Sequence, residues 1–174
     1  TEAGSYSSTA GGFGWSDRVG SARFTLTGSR TETGGFSQTS AGIEDDPYQR
    51  DALTARIAAP LGARATIEAS ARHADALTAF DGFSQEGAHT VDATQTLAHV
   101  ALTVGGAERF THRVGLRHVR SRRLTSGSFP SGIRGRLSAA EWLGTWDASP
   151  RHEMTFGTSL EEEHADFRDF AERA

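Results

Sequence analysis

Ala22-Arg-Phe-Thr-Leu-Thr-Gly-Ser-Arg-Thr31 decides the fold, because its apolar residues recur at every second position. Ala22, Phe24, Leu26 and Gly28 fall on one side; Arg23, Thr25, Thr27 and Ser29 fall on the other. Successive strand side chains point to opposite faces, so a period of two describes a sheet with one apolar face. The same alternation recurs along the chain. Ala65, Ile67, Ala69 and Ala71 oppose Thr66, Glu68, Ser70 and Arg72, and Val100, Leu102 and Val104 oppose His99, Ala101 and Thr103. Val114 and Leu116 oppose Arg113, Gly115 and Arg117, while Met154, Phe156 and Leu160 oppose Glu153, Thr155, Gly157 and Ser159. The acidic tail from Glu161 to Ala174 is the one weak helix candidate.

The breaks are of two kinds. Short ones at Asp17–Gly20, Pro60–Gly62, Gly105–Ala107 and Ser149–Arg151 read as hairpin turns. They recur about every 44 residues, a spacing at which repeats are expected. Long polar breaks lie at Gly34–Pro47, Ala79–Thr90 and Ser126–Gly135. Proline cannot donate to a ladder, and each of the four prolines falls in a break. The expectation is about eight strands in four hairpins: 2–16 and 21–34, 48–59 and 63–78, 92–104 and 107–124, 135–147 and 151–165. Long strands with short turns at one end and long loops at the other describe an all-β, antiparallel up-and-down transmembrane β-barrel. Aromatics near the turns (Trp15, Phe110, Trp146) and near the far ends (Tyr48, Phe80, Phe83, Phe129, Phe167) predict two interfacial girdles. A propeller blade has a similar repeat length, but needs four strands where each repeat here holds two long ones.

Composition narrows the function. Apolar residues are 36% of the chain, which leaves little for a closed core. The net charge of −4 argues against nucleic-acid binding. Cysteine is absent, which excludes disulfides, thiolate metal sites and cysteine nucleophiles together. No catalytic residue is assigned, because no nucleophile elbow, zinc helix or phosphate-binding glycine loop occurs. Thr1 opens on polar sequence unlike a signal peptide, so the chain is expected to begin downstream of any such segment.

Gly28-Ser-Arg-Thr-Glu-Thr-Gly-Gly-Phe-Ser37 resembles an early barrel strand and loop of TonB-dependent outer-membrane receptors, the cobalamin and siderophore transporters. Asp51-Ala-Leu-Thr-Ala-Arg-Ile-Ala-Ala-Pro-Leu-Gly62 is similar to a periplasmic hairpin of that family. Glu141-Trp-Leu-Gly-Thr-Trp146, in the hairpin ending at Asp147, followed by His152-Glu-Met-Thr-Phe-Gly157 and Glu161, resembles a barrel strand and loop of the family as Gly28–Ser37 does. Those receptors have an N-terminal plug and a barrel of about 22 strands. The sequence shows neither the plug nor a closing aromatic strand. The resemblance implies that residues 1–174 are part of a single barrel domain, with the plug and remaining strands outside it. It implies uptake of an iron-siderophore, cobalamin or similar scarce nutrient, with the TonB complex as a partner through the plug. A small structural or adhesion-type outer-membrane barrel is the alternative.

On this reading Phe24, Leu26, Ile67, Val100, Leu102, Val114, Leu116, Phe156 and Leu160 share the convex outer face and meet lipid. Arg23, Arg56, Arg64, Arg72, Arg113 and Arg117 take the polar side, where they are solvated or pair with carboxylates such as Glu68 or with the plug. Arg120 and Arg122 fall on the same side as Val114 and Leu116. With Arg134 and Arg136 they flank the break Leu124–Ile133, and are expected to contact lipopolysaccharide phosphates at the outer rim. No cofactor or metal site is expected: the loop carboxylates Glu44, Asp45, Asp46, Asp75, Asp81 and Glu86 read as solvated charge, with a calcium cage as the alternative. His112 and His118 share a face but stand too far apart for one ion.

Overall fold

Alternating stretches become strands, and the breaks become the reversals between them. The computed structural model describes residues 1–36, 45–81, 89–105, 109–127 and 130–169. The strands are β1 (Glu2–Gly4), β2 (Ser8–Val19), β3 (Ala22–Thr33), β4 (Tyr48–Leu61), β5 (Ala65–Phe80), β6 (His89–Gly105), β7 (Phe110–Ser126), β8 (Ser131–Ser149) and β9 (His152–Asp169). They form one antiparallel sheet in strict sequence order, and no described residue is helical. Sequential antiparallel order puts the β2–β3, β4–β5, β6–β7 and β8–β9 reversals on one edge and the other four connections on the opposite one. Of these only β3–β4 and β5–β6 are long, because β8 starts at Ser131 and the break expected at Ser126–Gly135 shrinks to residues 127–130. The sheet is open: β1 and β9 are its two edges.

The departures from expectation have local causes. There are nine strands rather than eight, because residues 2–16 are not one strand. Tyr6 and Ser7 both take positive φ, at 58° and 54°, and fold β1 back onto the start of β2. Two successive positive-φ residues make the mirror-image turn that matches strand twist. Pro60 lies inside β4 rather than in the turn, paired in register with Thr66. Its β3 neighbours have ended at Ala58, where a missing amide is least costly. The turn itself moves on to Gly62–Arg64, with Gly62 at φ 72°. Residues 161–169 are strand, not helix. The expected turn at Gly105–Ala107 runs into residues outside the described ones.

The sheet has a single layer. Among the described residues the buried apolar side chains are Ala74, Ala79 and Ala101. None of the described large hydrophobic side chains is fully buried; Leu160 is 76% exposed and Leu116 58%. A one-layer sheet must find cover for its apolar face elsewhere.

Candidate functional site

The register sorts side chains into two faces. Phe24 pairs with Ile57, Ile57 with Ala69, Ala69 with Val100, Val100 with Leu116, Leu116 with Ala140 and Ala140 with Leu160. Register partners share a face, so this is one apolar row across seven strands. The next row toward the turns runs Ile67, Leu102, Val114 and Trp142. Leu26 and Phe156 lie in adjoining rows of the same face. The register thus places all nine of these residues on one face of the sheet. The face spans four to five such rows, roughly 20–27 Å along the strands.

Aromatics close this face at the turn edge. Phe110, His112, Trp142 and Phe156 form a cluster with centroid spacings of 4.6–6.0 Å. The Trp142 Nε1–H donates to His112 Nδ1 at 3.3 Å, so the indole donor is satisfied within the cluster. Gly144 makes room: a Cβ there would stand 2.9 Å from Phe156 and 3.2 Å from Trp142. Trp15 and Trp146 lie on the same face, in register with Leu26 and Phe110. Among the described residues expected in the second girdle, none lies on this face. Tyr48, Phe80 and Phe167 pair in register with Thr33, His89 and Ile133, which puts them on the opposite, polar face. Nearness to a strand end does not fix which face a residue takes. Phe83 and Phe129 lie outside the described residues.

Charges instead line the apolar face toward the long connections. Arg30 pairs with Glu32 at 2.8 Å and Asp51 at 3.6 Å, and His73 Nε2 meets Asp75 at 2.9 Å. Sequence reading placed Asp75 in a loop, yet it belongs to β5 and faces outward in register with Asp51. Parity within Tyr48–Phe80 was the signal that could have found this charged row. Among the described residues no group of three or more His, Asp or Glu could hold a metal ion. Glu44 and Glu86 lie outside them.

The opposite face carries ordered ion pairs. Arg113 Nη1 donates to Glu68 at 3.1 Å and to Thr103 Oγ1 at 3.4 Å. Arg117 Nη2 donates to Glu161 at 3.0 Å. Each ion pair reaches across an intervening strand, β6 in the first case and β8 in the second. Small residues lie between: Ala101 is in register with Glu68, and Ala139 with both Arg117 and Glu161. Arg23, Arg56 and Arg72 share this face, while Arg64 sits in the exposed turn.

The four rim arginines come together on the apolar side. Arg120 stands directly opposite Arg136, and Arg122 opposite Arg134. They line a surface recess of about 550 Å³ with Thr94, Thr96 and Asp166. Residue types and parity thus placed the arginines, but not their face-to-face pairing. The chain matches no protein-family model and no curated protein.

Proposed function

We propose that this sheet is a wall of an outer-membrane β-barrel, part of a TonB-dependent receptor that takes up an iron-siderophore, cobalamin or a similar scarce nutrient. One observation carries the membrane part of this reading. An apolar face crosses seven strands, stays exposed, and has no second layer over it, while the other face is polar and ion-paired. Water would penalise that face at about 25 cal/mol per Å². Hydrocarbon would cover it, and its height is close to the ~25 Å band of outer-membrane barrels.

The strands continue past the band on one side. On β6 the outward residues Ala98–Val104 are apolar, whereas Thr90, Asp92, Thr94 and Thr96 are polar. This upper part would form a vestibule above the membrane, where a nutrient is captured. The inward ion pairs would keep the lumen wall polar with its charges compensated, so that a plug can slide against it. The receptor assignment rests on the strand-and-turn resemblance. Its chemistry is binding and gating rather than catalysis, with energy supplied through the plug by the TonB complex.

The test uses the full-length protein in cells. Uptake of labelled iron-siderophore or cobalamin should need both this protein and an active TonB complex. Fractionation of the protein into the outer membrane without such uptake would favour the small structural barrel. Recovery as a monomer soluble without detergent would defeat both.

A further inference from the structure

Beyond the barrel reading, on which this rests, we infer that the outward face of β6–β9 binds one phosphorylated acyl lipid, head on the arginines and chains in the groove beside them. The arginine block comes first. Like charges directly opposite on a sheet repel, and here two such pairs are stacked two residues apart on the same strands. Among the described residues none of the four has an ion-pair partner. Arg120 Nε donates to His118 Nε2 at 3.1 Å, a contact that brings no negative charge to the guanidinium. Asp166, in register with Arg134, turns instead to His164 Nε2 at 3.2 Å. The recess therefore holds four guanidinium groups against one carboxylate, Asp166, which His164 engages, and guanidinium forms paired hydrogen bonds to phosphate oxygens.

The second observation concerns what lies beside it. Moving from Arg120 toward the turns, the outward residues of β7 are His118, Leu116 and Val114; those of β8 beyond Arg136 are Ser138, Ala140 and Trp142. A groove of about 460 Å³ opens there; on this face His118, Ser138 and Glu162 line its end toward the arginines, and apolar side chains, Ala98 and Ala140 among them, line the rest. Its floor is alanine and its walls are Val100, Leu116 and Leu160. A cationic recess continuous with an apolar groove, ordered along the membrane normal, fits a lipid with phosphate above and acyl chains below. A soluble phosphate would use only the upper half. Basic side chains near a membrane surface each contribute about a five-fold gain in affinity for anionic lipid.

The experiment uses the full-length protein in phosphatidylcholine nanodiscs, with a hexa-acylated, diphosphorylated glucosamine disaccharide lipid as the probe. Lipid retained by the protein is read by native mass spectrometry. Arg120→Gln with Arg122→Gln should lower affinity roughly 30-fold. Arg134→Gln alone should lower it about five-fold, which keeps the test open if the double variant folds poorly. Arg56→Gln, the same charge change on the opposite face, should leave it unchanged. Ala140→Trp should also weaken binding with every arginine intact, and millimolar inorganic phosphate should not displace the lipid. Unchanged retention in the arginine variants, or an equal loss with Arg56→Gln, overturns the site. Displacement by inorganic phosphate, or no effect of Ala140→Trp, overturns the acyl lipid as occupant. Failure to insert into bilayers at all defeats the barrel reading; insertion without lipid retention defeats only this inference.

Discussion

At Leu102 the outward direction is set by parity alone, and one substitution tests it. Leu102 sits mid-band between Ile67 and Val114 and is 37% exposed. Arginine there should cost about 2–4 kcal/mol of folding free energy in lipid vesicles. Thr66 is exposed on the adjoining strand but faces the other way, two residues from Glu68. Arginine at Thr66 should cost well under half as much, and equal costs would refute the assignment of faces. A second residue test concerns Gly28, over which the Phe13 ring lies. A Gly28→Val change would push that ring off its seat. Loss of about 1–3 kcal/mol is expected for such overpacking, and Phe13→Ala in the same background should remove most of the further penalty. The faces were readable in advance because side-chain direction follows from counting residues. The reversal at Tyr6 and Ser7 was not, since neither residue type signals positive φ.

At the scale of strands, the ion pairs depended on register, which no single stretch of sequence contains. Arg113 and Glu68 are far apart in the chain and meet only because β5, β6 and β7 align as they do. The acidic run Glu161-Glu-Glu163 looked helical for the same reason: its partner Arg117 lies two strands away. With both members partly exposed, such pairs are screened by water. A double-mutant cycle on Arg113→Gln and Glu68→Gln should therefore give a coupling of about 0.2–1 kcal/mol. It should shrink further in molar salt. Coupling of several kcal/mol that resists salt would mean a dry, plugged lumen wall instead of a wet one. The aromatic ends teach a related lesson. Phe80 and Phe167 lie near strand ends as expected, but an odd or even step decides their face, and the lengths of the long strands hid that count.

For the whole molecule, the unresolved question of balance lies at the edges. β9 presents 18 residues whose outer side no other described strand pairs, and β2 is covered by β1 only from Ser8 to Ala10. In water an open edge invites association, and in hydrocarbon each unpaired amide costs several kcal/mol. The apolar residues Met154, Phe156 and Leu160 put the exposed edge of β9 within the band that the barrel reading assigns to lipid. Alternate residues of an edge strand direct their N–H groups toward β8 and away from it. If the sheet sits in a bilayer, the amides directed away must also be bonded to another strand, supplied by the same chain or by a neighbour. Hydrogen exchange of the full-length protein in nanodiscs resolves the two sets across Met154–Leu160. Comparable protection of both is the expected result, matching that of Val114–Leu116 on the interior strand β7. Fast exchange confined to the outward-directed set would show a free edge in contact with water, and a free edge in water is incompatible with a sheet that lines a closed barrel.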